Sequence, residues 1–289
     1  MTELSMEKFL SPIDSLEKEH LILNRDYEDL LKNLKLLSFE AIWNCRDGET
    51  VKKIKERSVI RIRMQTSKGK RYFYLKHHKH QYIGLRRLFA PIFFKPFLSE
   101  GKKEFQNICD FREKKIATVV PVAAGEKFTR FFWVKSFLVT EDFSPFVSLE
   151  DLLENQPEFF MGPDSKNRKK ILIDEVTLLA RRMHKQGLNH RDFNSTHILL
   201  HYDRRSDVPK VALFDLQRVD RNRFLSFRWM VKSLARLNYS LPAEIFNAED
   251  RICLFLSYIG EKRLQGWNRL LWFWIERKTK KIKKHTGKW

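Results

Sequence analysis

Three side chains able to move a proton or hold a metal ion fall close together in this chain. They are Asp192 in His190-Arg191-Asp192-Phe193-Asn194, His197 five places later, and Asp215 at the end of Val211-Ala212-Leu213-Phe214-Asp215. Residues 198–202 and 210–214 are strand-like, and the polar segment between them, Asp203-Arg204-Arg205-Ser206-Asp207-Val208-Pro209, reads as a turn. An antiparallel hairpin of these strands returns the chain to its starting end, which sets His197 beside Asp215 and near Asp192. One carboxylate can take the proton of a hydroxyl. A second carboxylate and an imidazole suit a Mg²⁺–phosphate site only where phosphate and water complete the shell. That combination is the chemistry of phosphoryl transfer. The tripeptide His-Arg-Asp alone arises readily by chance; the hairpin and the second aspartate raise it above that.

The elements that must position these groups are legible on both sides. The loop resembles the protein-kinase catalytic loop H-R-D-L-x-x-x-N, with His197 in the place of the asparagine. Ahead of it, residues 171–186 form a strong helix with Leu172, Val176, Leu179 and Met183 on one face and Gly187 as its stop. Further upstream, residues 39–44, 58–64 and 71–77 read as three strands, with turns at Asp47-Gly48 and Lys68-Gly69. The third strand, Arg71-Tyr72-Phe73-Tyr74-Leu75-Lys76, resembles the V-A-I-K strand of kinases, whose lysine contacts the phosphates of ATP and is held by a helix glutamate. Glu104 is the expected partner of Lys76, with Glu100 and Glu113 as rivals. Residues 119–123 and 133–140 read as two more strands. Ser148 caps a helix over residues 149–153, with acids in its first turn. The polar crossover at residues 141–145 resembles the segment that joins kinase lobes, which implies that its backbone would hydrogen-bond adenine. Residues 227–239 and 248–259 read as helices, and residues 14–37 as partly helical on the spacing of Leu16, Leu23, Leu30, Leu34 and Leu37.

Composition narrows the class. The 289 residues suffice for one two-lobed domain or two small ones, and 43% hydrophobic content supports a sizeable core. Cys45, Cys109 and Cys253 are far apart and lack zinc spacing, which argues against a disulfide framework or a zinc site and suits a reducing compartment. The acidic N-terminal residues lack the apolar core of a signal peptide, and no apolar run approaches the ~18 residues of a membrane span. The formal net charge of +20 attracts anionic partners, among them nucleic acid, anionic lipid, a phosphorylated glycan or an acidic protein. Two stretches stand outside a generic kinase. Residues 88–98 are apolar and broken by proline. Residues 267–288 carry Trp267, Leu270, Leu271, Trp272, Phe273, Trp274 and Ile275 before a run of lysines. Both suit either core packing with a solvated tail or contact with a membrane surface.

Over residues 39 to 259 the sequence resembles the Kdo/WaaP lipopolysaccharide kinase family, in particular its inner-core heptose kinases. The resemblance is carried by Tyr72-Phe73-Tyr74-Leu75-Lys76-His77-His78, Ser136-Phe137-Leu138-Val139-Thr140-Glu141, Ser148-Leu149-Glu150-Asp151-Leu152-Leu153, the loop from His190 to His197, Phe214-Asp215-Leu216-Gln217-Arg218, and Arg228-Trp229-Met230-Val231-Lys232-Ser233-Leu234-Ala235. It implies an α+β, protein-kinase-like two-lobed fold with a small β-rich N-lobe and a mostly helical C-lobe. The expected divisions are a helical extension over residues 1–38, the N-lobe over 39–144 and the C-lobe over 145–289. It also implies ATP-dependent phosphorylation of a sugar hydroxyl, a heptose, in the lipopolysaccharide core, with ATP and Mg²⁺ as cofactors. Carried over by position, Asp192 is the catalytic base, Lys76 the ATP-binding lysine paired with Glu104, and Asp215 the Mg²⁺ ligand, with His197 on the metal side. The implied partners are a lipid-linked core oligosaccharide and an anionic membrane surface, at the cytoplasmic face of the inner membrane, and the charge would also suit an acidic protein. Nucleic acid is not expected. The sequence departs from the pattern in having no glycine-rich loop before Lys76, only Gly48, and in carrying Ser233 and Gln217 where Asp and His are expected. The rivals are a kinase of the same fold with another small-molecule or protein acceptor, and a non-catalytic basic binding module. Lys76, Asp192 and Asp215 speak against the second; the missing glycines speak for it.

Overall fold

The computed structural model describes residues 6–18, 20–66, 69–81, 99–129, 133–203, 206–221 and 226–286. The proline-broken apolar stretch at 88–98 and the chain end at 287–289 lie outside these, as does Lys68 of the expected turn. The chain forms two compact units, residues 1–115 with 119–143, and residues 116–118 with 144–289.

The first unit is built on a seven-stranded antiparallel sheet, in the order β1 (Ser15–Lys18), β2 (Leu21–Asn24), β6 (Pro121–Phe128), β7 (Trp133–Glu141), β5 (Gly69–Gln81), β4 (Arg57–Thr66), β3 (Gly48–Ile54). Alternation decides which face each side chain takes. On β4, Ile60, Ile62 and Met64 point to one face. On β5, Phe73, Leu75 and His77 do. The apolar ones meet Tyr27, Leu31, Phe39, Ile42 and Trp43 in one core cluster, and His77 packs against Trp43. The opposite parity of β5 puts Lys76 on the other face. There α4 (Glu100–Glu113) packs on β6 and β7, burying Phe105, Ile108 and Phe111.

Two expectations for this unit change. Residues 14–37 are not one partly helical extension: β1 and β2 form a hairpin on the sheet edge, and among the described residues of this stretch only α2 (Glu28–Asn33) is α-helical. The run Leu21-Ile22-Leu23 is buried throughout, as a strand covered on both faces requires. The leucine spacing that reads as helical joins two strands to a short helix. Residues 39–44, expected as a strand, contain α3 (Phe39–Trp43). Ser38 caps it by accepting a hydrogen bond from the Ala41 amide, and Phe39, Ile42 and Trp43 face the core at helical spacing.

The second unit carries the small sheet β11 (Lys210–Leu213), β10 (Ile198–His201), β8 (Val147–Ser148) and the pair β12 (Val219–Arg221) with β9 (Leu188–His190). Among the described residues, five α-helices accompany them: α5 (Leu149–Asn155), α6 (Ser165–Lys185), α7 (Ser226–Ser240), α8 (Ala248–Ile259) and α9 (Trp267–Thr286). Ser148 caps α5, as its sequence predicts. On α6, Leu172, Val176, Leu179 and Met183 are buried, and α8 packs along it. Gly187 follows at φ 71°, the left-handed conformation in which a helix commonly stops, and the chain then enters β9. On α9, Ile275 is buried and α7 is the main packing partner. The Thr279 hydroxyl accepts a hydrogen bond from the Asn238 amide at 3.2 Å. Trp267, Leu270, Phe273 and Trp274 of α9 are exposed.

Candidate active site

In the first unit, Lys76 Nζ lies 2.8 Å from Glu104 Oε1, and the Glu104 side chain is 1% exposed. The rival Glu100 is occupied by Arg57 and His78, each at 3.0 Å, and Glu113 is an exposed residue at the end of α4. Gly101 sets how closely α4 approaches the sheet. A Cβ at this position would lie 2.7 Å from the Phe137 carbonyl carbon, well inside ordinary contact. The Gly101 amide also donates to Ser136 Oγ at 3.3 Å. The bare helix face therefore rests directly on the β7 backbone, one turn ahead of Glu104. Arg112, at the other end of α4, is 2% exposed and donates to the Ser11 carbonyl oxygen at 2.7 Å, which ties the helix to the N-terminal segment. Burial pulls its pKa down to about 10.

In the second unit, the hairpin register pairs Ile198 with Leu213, and this brings His197 to Asp215. His197 Nε2 lies 3.5 Å from Asp215 Oδ2. Its Nδ1 is 2.8 Å from the Asp192 carbonyl oxygen, so Nδ1–H donates there. Burial works against charge on this imidazole. The hydrogen bonds to Asp215 and to the Asp192 carbonyl outweigh it, and the pKa stands above its ordinary 6.5. Asp215 occupies the left-handed region at φ 57°, which turns its carboxylate off the end of β11. The Asp192 end of the loop is fixed by a neutral histidine. His190 is fully buried, accepts the Asp192 amide at Nδ1 (3.0 Å) and donates from Nε2 to the Phe214 carbonyl oxygen (3.2 Å). Burial lowers its pKa to about 4. His190 thus ties Asp192 to the residue preceding Asp215, and its ring stacks on His197 with centroids 5.5 Å apart. The far side of the loop is held by the Ser195 amide, which donates to Ser240 Oγ at the end of α7.

Sequence reasoning missed the partners of the Asp192 carboxylate. Arg218 Nη1 donates to both of its oxygens at 3.1 Å, and Arg236 Nη1 donates to Oδ1. Arg218 follows directly on the Asp215 segment and Arg236 directly on Ala235; being 26 and 44 residues from Asp192, neither betrays its target by spacing. Ser233, where an Asp was expected, is 2% exposed and donates to Asn189 Oδ1 at 2.7 Å.

Among the described residues no group of three or more His, Cys, Asp and Glu is placed to hold a metal unaided. The half-exposed Asp215 carboxylate offers hard oxygen donors. A Mg²⁺ ion therefore fits there only where phosphate and water supply the remaining ligands. The turn of the β3–β4 hairpin, ahead of Lys76, uses Lys55 at φ 47° and Glu56 in place of glycines.

A β-rich unit with a lysine–glutamate pair, and a mostly helical unit with an aspartate loop and a following Asp on a hairpin, define a protein-kinase-like α+β fold and a kinase. The model of the lipopolysaccharide kinase (Kdo/WaaP) family matches residues 41–258. The chain is 29% identical over 218 residues to the lipopolysaccharide core heptose(I) kinase WaaP of Escherichia coli, covering 70% of this chain and 77% of that protein. It is 28% identical over 259 residues to the protein of the same description from Pseudomonas aeruginosa, covering 84% and 93%. Among solved structures, WaaP in complex with acyl carrier protein superposes with a TM-score of 0.65 at 26% identity, covering 91% of this chain and 99% of that one. The chain belongs to the lipopolysaccharide kinase (Kdo/WaaP) family.

Proposed function

We propose that the chain transfers the γ-phosphoryl group of ATP to a sugar hydroxyl, a heptose, of the lipopolysaccharide inner core. The observation that carries this reading is the linked set Asp192, His190, His197 and Asp215, in a member of this kinase family. Phosphoryl transfer asks for positioning and charge neutralisation more than covalent chemistry. Asp192 is the base. Its carboxylate orients the acceptor hydroxyl and takes its proton as the new P–O bond forms and the bond to the β-phosphate oxygen breaks. Arg218 and Arg236 fix the direction of that carboxylate. Lys76, held by Glu104, binds phosphate oxygens. Asp215, with His197 beside it, would hold Mg²⁺, whose contribution is to neutralise charge on the phosphates. Because His197 donates to the Asp192 backbone carbonyl and faces the Asp215 carboxylate, it links the loop that carries Asp192 to the residue at the end of β11.

The same reading places the protein at the cytoplasmic surface of the inner membrane, acting on lipid-linked core oligosaccharide. No helix among the described residues is long and apolar enough to cross a membrane. Helix α9 offers a surface alternative. At 100° per residue, the exposed Trp267, Leu270, Phe273 and Trp274 share an arc with the exposed Lys280, Lys281 and Lys284. An acidic protein partner is also part of the reading, supported by the +20 charge and by the solved relative's complex with acyl carrier protein. The test is incubation with ATP and purified core glycolipids, followed by mapping of the phosphorylated position. Phosphate on a heptose supports the reading; turnover of another sugar, small molecule or protein alone refutes its acceptor.

A further inference from the structure

Glu141 ends β7, and its side chain and that of Asp142 take opposite faces of the sheet. Glu141 pairs with Phe73, so its carboxylate points to the core face, away from Lys76. Three donors from distant segments meet it there. Oε2 accepts from Lys8 Nζ at 2.5 Å and from the Tyr27 hydroxyl at 2.9 Å, and Oε1 accepts from Arg71. Burial opposes charge on Glu141, whose side chain is 8% exposed. The hydrogen bonds from Lys8 and Arg71 outweigh it and hold the pKa below its ordinary 4.5. Burial and the nearby Glu141 raise the Tyr27 pKa, which keeps that hydroxyl a donor. Lys8 belongs to the short helix α1 (Glu7–Leu10), and that segment has its own seat. Phe9 is buried, and Arg112 donates to the carbonyl oxygens of Lys8 and Ser11 at 2.5 and 2.7 Å.

The next two residues act on the Lys76 face. Arg61, over the Tyr72 ring at 4.3 Å, grips Asp142 Oδ2 through Nε at 3.0 Å and Nη2 at 2.5 Å. Phe143 stacks on Tyr74 with centroids 5.2 Å apart. Tyr74 precedes Lys76 on that face, about 7 Å along β5. With its phosphates on Lys76, an ATP molecule extended along that strand brings its base to the crossover, the segment expected to hydrogen-bond adenine.

We propose that the Glu141 cluster is a clamp for the nucleotide: Lys8, reaching from the N-terminal segment, fixes Glu141 and through it the crossover at the base end of the ATP site. Glu141 and Lys8 are then positioning residues, because the cluster lies on the face turned away from Lys76. The proposal rests on the kinase reading above and adds the N-terminal segment to its nucleotide site. An ion cluster that merely stabilised the sheet would change unfolding and leave ligand selectivity alone. A clamp changes how the base is held and spares the phosphates.

The test measures calorimetric binding of Mg²⁺-ATP, adenosine and Mg²⁺-tripolyphosphate to the full chain. Adenosine carries the base without phosphates, and tripolyphosphate the reverse. Lys8→Met removes the charge and keeps the length, and Glu141 retains Tyr27 and Arg71, so the variant should fold. The Lys8 side chain is 41% exposed, which screens its pair. Lys8→Met should therefore weaken ATP and adenosine about fivefold each, and tripolyphosphate less than about twofold. Lys8→Arg should keep the wild-type affinities. Glu141→Gln removes the centre of the cluster and should weaken ATP and adenosine at least about tenfold. In turnover, Lys8→Met should raise ATP KM about fivefold with kcat within about twofold of wild type. Lys8→Met binding all three ligands as the wild type does overturns the proposal, and so does an equal loss for tripolyphosphate. Both arms stand even if Glu141→Gln fails to fold. A wild type that binds ATP no more tightly than tripolyphosphate also overturns it, since no base contact is then left to position. Absence of ATP binding by the wild type refutes the kinase reading itself, and the clamp with it.

Discussion

Gly101→Ala is a one-methyl change that should loosen, from a distance, the Lys76–Glu104 pair proposed to bind nucleotide. Helix propensity alone favours the substitution by about 1 kcal/mol. Contact opposes it. The new Cβ would sit 2.7 Å from the Phe137 carbonyl carbon, where ordinary contact begins near ~3.5 Å. The obstacle is strand backbone in the centre of the sheet, not a side chain that can rotate aside. The N-terminal turn of α4 must therefore back away from β7 by about 1 Å, and Glu104 lies one turn further along the same helix. A shift of that size takes the 2.8 Å Lys76–Glu104 contact beyond the ~3.2 Å limit of a good hydrogen bond. Overpacking costs about 1–3 kcal/mol, and a charge-assisted bond contributes about 1.5–3 kcal/mol, so the unfavourable terms exceed the propensity gain. We expect net destabilisation of about 1–2 kcal/mol, a Tm lower by about 2–6 °C, and an ATP KM raised about tenfold. Thermal unfolding and ATP-dependent turnover of the purified variant check this. A Tm at or above wild type together with an unchanged ATP KM would refute the claim that α4 is seated by the bare glycine.

Asp215→Ala and Lys76→Ala should both damage nucleotide use, the first mainly as a lost Mg²⁺ dependence and the second as a raised ATP KM; Mg²⁺ and ATP titrations separate them. Stability should fall on acidification from about pH 6.5 to 4. His77, His184 and His190 are buried with pKa values near 4, so the unfolded chain binds more protons in that window. His197 has the opposite sign. Its raised pKa contributes stability below about 6.5 that is lost as pH rises through the folded value. His197→Asn should remove only that alkaline limb of a pH–Tm profile and keep part of the turnover, while His197→Ala loses most of it. Sedimentation with anionic vesicles should be strong at low salt and weak at 1 M. Lys280→Gln/Lys281→Gln/Lys284→Gln should weaken it by about a hundredfold, at roughly 1 kcal/mol per lysine; binding indifferent to both would remove α9 from the membrane.

What the sequence revealed was set by local pattern. The β4–β5 alternation, the apolar face of α6 ended by Gly187, α8, and the hairpin that brings His197 to Asp215 all rest on neighbours within one or two elements. Lys76 and Glu104, 28 residues apart, could be paired because strand parity and helix position restricted the choice to three acids. The β1–β2 hairpin was hidden because leucines from two strands and a helix imitate one helical period. The segment Phe39 to Trp43, with its large apolar residues, imitates a strand until Ser38 is recognised as a cap. Arg218 and Arg236 at Asp192, and Gly101 against Phe137, are long-range contacts between elements, and spacing along the chain encodes neither. The Glu141 cluster is of the same kind: Lys8, Tyr27 and Arg71 come from separate segments and converge only on folding.

Asp192→Asn tests the central claim most directly. Asparagine keeps the size and one acceptor oxygen for Arg218, but cannot take the hydroxyl proton. Transfer from labelled ATP to core oligosaccharide, compared with wild type at matched thermal stability, should drop by at least about 100-fold, the scale of a lost general base. Turnover within a few-fold of wild type would contradict Asp192 as the base, and with it the mechanism built on the His190–Asp192–His197–Asp215 set.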